Sequence, residues 1–163
     1  MSDHPFHLRQ AEADDEQFVL ALAERFVDFE LPAWRKRNEC LKGIREDLLK
    51  NLDDPPPTSW LYVAEDEAGE RVGYLHLQKL KDFFTGCLKC HISDLATTPE
   101  AEGRGVGRTM LRYSEAWARE HKCALITLGV FPGNQRALDF YQASGFSTDL
   151  LLMAKPVKDA KRP

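Results

Sequence analysis

Three glycines occupy alternate positions in the segment EGRGVGR, residues 102–108, between a predicted strand and a predicted helix. Glycine allows positive φ and lets a ligand approach the main chain closely. The first turn of a helix adds unpaired N–H donors and the positive end of the helix dipole. The segment therefore predicts a phosphate or pyrophosphate site, with Arg104 and Arg108 as charged donors. A tight turn whose glycines serve packing alone is the alternative.

The spacing of these glycines excludes two common nucleotide-binding loops. A P-loop requires Gly-x-x-x-x-Gly-Lys-[Ser/Thr], whereas the sixth residue counted from Gly103 is Arg108. The dinucleotide loop Gly-x-Gly-x-x-Gly fails as well, because its last position falls on Arg108 or, counted from Gly105, on Met110.

A second string with chemical meaning is Cys87-Leu-Lys-Cys90-His91, which has the form of a covalent c-type haem attachment site. It runs directly into a predicted strand, and no second Cys or His pair has the spacing of a zinc site. We interpret the two cysteines as ordinary thiols near a hairpin and predict no metal. These cysteines and Cys123 also have no identifiable partner that would activate them as nucleophiles.

Length and composition predict one domain over residues 1–163, with a polar tail from about 156. Hydrophobic residues make up 43% of the chain, which is enough for a sizeable core, and the net charge of −4 gives no reason to expect nucleic acid. The N-terminus has no basic and apolar signal pattern, and no apolar run approaches the roughly 18 residues of a membrane span. We therefore expect a cytoplasmic protein with reduced thiols and no membrane partner.

Hydrophobic spacing and turn residues predict the elements that surround these motifs. The N-terminal half reads as a strand, two amphipathic helices and a hairpin: Phe6–Arg9, Asp14–Phe29, Trp34–Leu52, Ser59–Glu65 and Arg71–Lys79. The prolines at 55–57 end the second helix.

The C-terminal half alternates strands and helices. The predicted strands are Cys90–Thr97, Ala124–Val130 and Phe146–Met153, and helices follow the glycine segment and span Asn134–Ser144. The order β-α-α-β-β-β-α-β-α-β predicts an α/β protein with a mixed sheet, antiparallel across turns and parallel across helices.

Two blocks of the sequence resemble the GNAT superfamily of N-acetyltransferases. Ile92–Leu111, a strand, the glycine segment and a helix, is similar to its acetyl-CoA motif, and NQRALDFYQASGF, residues 134–146, is similar to its N-x-x-A-x-x-F-Y-x-x-x-G-F signature. The resemblance implies a twisted, mostly antiparallel sheet of six to seven strands with about four helices on both faces, and splayed fourth and fifth strands. One departure is Glu102, where the family usually has Arg or Gln; a carboxylate cannot donate to phosphate, so we remove it from the cofactor contacts.

The resemblance also implies roles for individual residues. Tyr141 matches the tyrosine placed near the acetyl-CoA sulfur, where it would protonate the departing thiolate, although a packing role is the alternative. The implied cofactor contacts are Leu95, Ala96 and Thr97 for the pantetheine arm, Gly103, Arg104, Gly105, Val106, Gly107 and Arg108 for the pyrophosphate, and Asn134, whose helix cap alone would also explain it.

An amine must lose its proton before it attacks a thioester, so a carboxylate acting directly or through water is expected. The resemblance implies Asp94, because many members carry glutamate at this point of the fourth strand, and packing explains poorly a carboxylate between Ile92 and Ala96. Aspartate is shorter than glutamate, which favours a water relay. A structural strand-end aspartate is the alternative, and His76 and His91 are the reserve bases.

The family builds its acceptor pocket from the first two helices and the region between the third and fourth strands. Here Asp28 and Glu30 would attract a cationic amine, and Trp34, Phe83 and Phe84 would pack its apolar part. No motif identifies the acceptor.

The predicted function is direct transfer of an acetyl group from acetyl-CoA to a primary amine of a small molecule or amino acid. A protein or peptide acceptor is one alternative, and a non-catalytic acyl-CoA-binding regulatory module is another. A homodimer is expected by analogy with the family alone.

Overall fold

Five strands form one sheet in the order β1-β2-β3-β4-β5 in the computed structural model, which describes residues 5–160. The strands are β1 (Phe6–Gln10), β2 (Ser59–Asp66), β3 (Arg71–Lys81), β4 (Leu88–Thr97) and β5 (Leu125–Leu128). The pairs β1–β2, β2–β3 and β3–β4 are antiparallel. The pair β4–β5 is parallel, because a helix connects the two strands. This is the mixed α/β arrangement that the sequence predicts.

Four α-helices flank the sheet: α1 (Glu16–Leu22), α2 (Arg37–Asp53), α3 (Val106–Glu120) and α4 (Gln135–Ala143). The predicted helix Asp14–Phe29 is shorter, because 3-10 turns at Ala13–Asp15 and Ala23–Val27 replace its two ends. The predicted helix Trp34–Leu52 begins only at Arg37, since a turn closed by the bond from Arg35 N to Pro32 O occupies the preceding residues.

The two faces of the sheet pack against different helices. Buried side chains of α1 and α2, such as Val19 and Leu48, cover one face, while Met110 and Trp117 of α3 cover the other. The central strand β3 is buried almost continuously from Val72 to Leu77, as expected for a strand covered on both sides.

A bulge disturbs the pairing of β3 with β4 next to the predicted base. His76 pairs with Asp94 and Leu77 pairs with Ile92, so Ser93 is the extra residue. Bulges re-aim neighbouring side chains, and here the side chains of His76 and Asp94 come together.

Strands β4 and β5 separate after four paired residues. The last pair joins Ile92 to Leu128, whereas β4 continues to Thr97. Among the described residues, nothing pairs with this outer edge of Ser93–Thr97. The splay expected between the fourth and fifth strands is therefore confirmed.

The predicted final strand, Phe146–Met153, is wrong: this segment has no regular structure, and the sheet has five strands rather than six or seven. Gly145 at φ 93° ends α4, after which Phe146 packs its ring 5.6 Å from that of Tyr141. The strand expected at Ala124–Val130 is also shorter in the structure, where β5 comprises only Leu125–Leu128. Beyond Phe146 the apolar side chains of Leu150–Met153 meet no strand and are exposed, Leu152 by 93%.

Within residues 5–160, no helix is both long and apolar enough to cross a bilayer.

Candidate active site

The glycine segment forms an open cradle at the start of α3. Gly103 and Gly105 have φ values of 75° and 91°, and a Cβ atom added at either would meet nothing within 4 Å. The first helical hydrogen bond runs from Thr109 N to Gly105 O at 3.0 Å, so the N–H groups just before Thr109 have no helical partner. These groups and the helix dipole suit an anion.

Gly107 has a different role from the other two glycines. An added Cβ there would lie 3.1 Å from Cζ of Phe140, so Gly107 lets α3 and α4 approach closely. The packing explanation considered for the whole segment therefore applies to Gly107.

The two arginines near the cradle differ in their surroundings. Arg104 lies 3.6 Å from the carboxylate of Asp66 and 5.4 Å above the ring of Phe6, on the β1–β2 side of the segment. Arg108 is exposed in the first turn of α3.

Glu102, set aside in the sequence analysis, joins three parts of the molecule. Its carboxylate pairs with Arg25, which follows α1, and with Arg136 of α4 at 2.8 Å. Sequence reasoning missed Arg25 and Arg136; the only signal was the presence of an acid where the resemblance leads one to expect a donor.

The open edge of β4 leads directly into the cradle. Leu95, Ala96 and Thr97 pair on one side with Leu75, Tyr74 and Gly73 of β3, which leaves the other side of the strand facing the gap to β5. A ligand strand placed in this gap would continue past the Pro99–Ala101 turn to the N-terminus of α3.

Two motif residues, Asn134 and Tyr141, have defined surroundings at α4. Asn134 caps the helix, and its Oδ1 accepts a hydrogen bond from Ala137 N at 3.2 Å. The ring of Tyr141 packs 5.2 Å from that of Phe140. Burial and the charge of Asp94 raise the pKa of Tyr141 to about 12, so the phenol is neutral and lies within electrostatic reach of that carboxylate.

Asp94 lines an open cavity of about 640 Å³ between α2, β4 and the turn after β5. Its walls include Trp34 from the loop before α2, Phe131 after β5, and Glu39, Cys40 and Asp47 on α2. Gly133 sets this geometry, because a Cβ there would collide with the carbonyl of Glu30 and push the two loops apart.

The cavity carries three carboxylates, Glu39, Asp47 and Asp94. Lys36 pairs with Glu39 at 3.6 Å, whereas the Asp47 carboxylate has no ion-pair partner among residues 5–160. The nearby hydroxyl of Tyr74 is buried without a hydrogen bond, and its pKa is raised well above 10 by burial and by the charges of Asp94 and Asp47. The α2 side of the cavity thus favours a cation.

Some of the predicted acceptor residues line a cavity, and others do not. Trp34 lines the cavity, and Asp28 lines a second cavity of about 420 Å³ beside Thr98. Phe83 and Phe84 stack on each other at the β3–β4 turn, 90% and 74% exposed, and line neither cavity. Sequence reasoning missed Glu39, Cys40 and Asp47, because acids on α2 look like an ordinary solvated helix face.

The two reserve histidines have different partners. His76 is fully buried, with Nδ1 3.3 Å from Asp94 Oδ2 and Nε2 2.7 Å from Ser59 Oγ. His91 instead contacts Thr127 of β5, and burial lowers its pKa.

The cysteines of the C-x-x-C-H string separate in space. Cys90 lies in the core, where burial raises the pKa of its thiol to about 12, whereas Cys87 is exposed. In the described part of the chain, no group of three or more His, Cys, Asp or Glu side chains is placed to hold a metal ion.

Comparison with known proteins gives a family match over most of the chain. A family model described as the acetyltransferase (GNAT) family matches residues 14–146. A mycothiol acetyltransferase from Propionibacterium freudenreichii subsp. shermanii is 38% identical over 106 residues, which cover 65% of this chain and only 32% of that protein. An aminoglycoside N(6')-acetyltransferase type 1 from Stenotrophomonas maltophilia is 26% identical, covering 80% of this chain and 83% of that protein.

Solved structures share the fold. The aminoglycoside N-acetyltransferase AAC(6')-Iy, in complex with CoA, superposes with a TM-score of 0.65 at 16% identity, over 94% of this chain and 95% of that one.

Proposed function

This chain belongs to the acetyltransferase (GNAT) family, and on that premise we propose that it transfers the acetyl group of acetyl-CoA directly to a primary amine of a small, cationic molecule. The observation that carries the proposal is the position of Asp94, which lies both on the open edge of β4 and in the wall of the acidic cavity. Donor and acceptor would meet at this carboxylate.

The residues present fit the cofactor that the family uses. The open edge at Leu95–Thr97 offers main-chain groups to the pantetheine arm, and the cradle at Gly103–Arg108 offers N–H donors to the pyrophosphate. Asn134 has its Oδ1 occupied by the helix cap, which leaves Nδ2 as its donor. When bound, acetyl-CoA supplies an acetyl group activated as a thioester.

Asp94 and Tyr141 have different roles, the first as a proton acceptor and the second as a hydrogen-bond donor. Asp94 accepts the proton of the attacking amine, directly or through water. Tyr141 donates a hydrogen bond to the leaving sulfur, a role that suits a phenol that stays neutral because its pKa is raised to about 12. The main-chain amide of Leu95 is the candidate donor to the developing oxyanion.

The charges of the cavity support a di-cationic acceptor over an amino acid. Asp47 and Glu39 stand on α2 across from Asp94, so a second ammonium group would find a carboxylate while the first is deprotonated. An amino-acid carboxylate at the same place would be repelled. Arg35, whose guanidinium lies 5.5 Å above the Phe131 ring, is the only cavity cation besides Lys36 among the described residues.

A thiol-release screen with acetyl-CoA tests this function. We expect diamines to be acetylated faster than monoamines of equal length, and amino acids and peptides to be poor acceptors. Acetylation of peptides alone would favour the protein acceptor. Failure of every amine to release CoA, while acetyl-CoA still raises the melting temperature, would favour the non-catalytic binding module.

We also propose that the chain forms a homodimer in which Leu150–Met153 of each copy pairs with the free edge of β5 in the other. The segment and the strand are both four residues long, and no residue of β5 or α4 is buried. Four consecutive exposed apolar side chains are typical of a segment that pairs with a strand of another chain.

A further inference from the structure

A chain of buried hydrogen bonds leads from Asp94 to the end of α2. His76 lies between Asp94 Oδ2, 3.3 Å from its Nδ1, and Ser59 Oγ, 2.7 Å from its Nε2. Ser59 Oγ lies 2.5 Å from Asn51 Oδ1, and Asn51 Nδ2 lies 2.8 Å from the carbonyl oxygen of Asp47. His76 is 0% exposed, and Ser59 and Asn51 are 7% and 6% exposed, so these groups depend on one another for hydrogen bonds.

The donor and the acceptor of each hydrogen bond can be assigned by starting from Asn51. The main-chain oxygen of Asp47 can only accept, so the amide NH2 of Asn51 faces it and the amide oxygen faces Ser59. Ser59 has one hydroxyl hydrogen and gives it to Asn51, which leaves lone pairs for His76. His76 therefore donates its Nε2–H to Ser59.

A neutral histidine carries only one ring proton, so Nδ1 of His76 is bare and faces the Asp94 carboxylate. Two acceptors 3.3 Å apart repel each other unless a proton lies between them. With His76 neutral, the pair thus has a vacant place for one proton between a fully buried ring and a carboxylate that lines the cavity.

We propose that His76 stores the proton that Asp94 removes from the acceptor amine. The N–H bond of the amine breaks as Asp94 takes the proton, and Asp94 passes it to Nδ1 of His76, where a new N–H bond forms. His76 becomes an imidazolium beside the restored carboxylate, and Nε2–H stays on Ser59 throughout. After product release the proton returns through Asp94 to solvent in the cavity. His76 touches no substrate and is a positioning residue; its role rests on the proposed role of Asp94.

The other titratable groups near this pair are His91 on β4, Tyr74 on β3 and Tyr141 on α4, with Glu39 and Asp47 of α2 in the wall of the same cavity. The pKa of His91 is lowered by burial and that of Tyr74 is raised well above 10, so both stay neutral between about pH 6.5 and 9. A change in ring protonation observed in that range would therefore not come from His91 or Tyr74.

Nitrogen NMR of the full chain labelled with 15N-histidine tests the stored-proton arrangement without turnover. We expect His76 to be the Nε2–H tautomer at high pH and to gain a proton on Nδ1 as the pH falls. In Asp94→Asn, the new amide N–H donates to Nδ1, so His76 should stay neutral over the same range. An Nδ1–H tautomer in the wild type would overturn the proposal, because the bond chain would then run in the opposite direction.

Kinetics on His76→Gln give the second test. We expect kcat to fall by roughly 30-fold, less than the roughly 100- to 10,000-fold typical of losing a general base, because Asp94 itself remains. The acid limb of the kcat/KM profile should move to lower pH, with the KM for acetyl-CoA unchanged. His121→Gln, a histidine stacked on Trp117, is the matched control and should leave the profile in place. An unmoved acid limb in a folded His76→Gln would contradict the relay.

The proposed function and the proposed role of His76 can be disproved independently of each other. If no amine is acetylated, the proposed function is wrong, whereas the tautomer of His76 is still measured. If turnover depends on Asp94 but His76 carries its proton on Nδ1, only the relay is wrong.

Discussion

Tyr141 has a pKa that depends on the neighbouring Asp94 carboxylate. Burial and the Asp94 carboxylate both raise the pKa of Tyr141, which keeps the phenol a donor. Asp94 in turn contacts His76 on one side and the cavity on the other. The proposed acid and the proposed base thus lie within electrostatic reach of each other.

Tyr141→Phe should lower kcat about 100-fold while changing the KM for acetyl-CoA by less than about twofold, because it removes a donor to the leaving group and keeps the ring contacts. Since a raised pKa of about 12 leaves the phenol protonated at all lower pH, the ratio of wild-type to variant rates should be constant from pH 6 to 10. Rate–pH profiles of both proteins measure this ratio. A ratio that falls toward one at pH 9 would show that Tyr141 ionises in that range.

Asp47→Asn should raise the KM for a diamine about fivefold and leave that for a monoamine of equal length unchanged. The expected size corresponds to about 1 kcal/mol, typical of an exposed ion pair. Asp28→Asn removes an acid from the second cavity and is the control, with no change for either amine. Equal losses for the two amines would mean that Asp47 does not recognise the second ammonium.

The cradle and the open edge of β4 are the proposed cofactor site. Both expose main-chain groups, so binding there would depend on backbone conformation more than on side-chain identity. Gly105 at φ 91° sits where an L side chain is strained. Glu102 ties this segment to Arg25, which follows α1, and to Arg136 of α4.

Gly105→Ala should destabilise the fold by about 1 kcal/mol and raise the KM for acetyl-CoA severalfold, since the strained φ costs free energy and the added methyl enters the cradle. Gly69→Ala in the β2–β3 turn is a matched control, because Gly69 also has positive φ, 79°, and open space around it. Thermal unfolding should show similar shifts for both variants, with only Gly105→Ala affecting KM. A KM effect of equal size in Gly69→Ala would argue that general destabilisation is responsible.

At the scale of the whole molecule, the described chain buries apolar side chains on both faces of β1–β4 but leaves β5, α4 and the segment after it with none buried. The proposed exchange of Leu150–Met153 would cover this region in a dimer. The single-domain organisation and the cytoplasmic location stay predictions.

Leu152→Glu should convert the dimer to a monomer without unfolding it, because the side chain is 93% exposed in the single chain and a charge between paired strands is unfavourable. Phe83→Ser, which removes a 90% exposed apolar side chain from the β3–β4 turn, should leave the dimer intact. Sedimentation velocity measures both. A monomeric wild type, or a dimer that survives Leu152→Glu, would contradict the strand exchange.

The sequence predicts the cofactor side from Gly103, Gly105, Asn134 and Tyr141, because these residues lie in short, local motifs. It could not reveal the bond chain from Asn51 to Asp94, since that depends on the register of three strands and a bulge at Ser93.

The errors have physical causes of the same kind. A strand needs a partner as well as an apolar run, so the prediction at Phe146–Met153 failed where no strand was available within the chain. The acids of α2 could not be assigned to a site from the sequence. They belong to one because the loop at Trp34 and the turn at Phe131 form a cavity with α2.

The most direct test of the central claim is amine-dependent CoA release by wild type and Asp94→Asn, measured beside acetyl-CoA binding to each. The account predicts that the wild type releases CoA with a diamine and that Asp94→Asn binds acetyl-CoA equally well but turns over at least about 100-fold more slowly. Equal rates for the two proteins would contradict it.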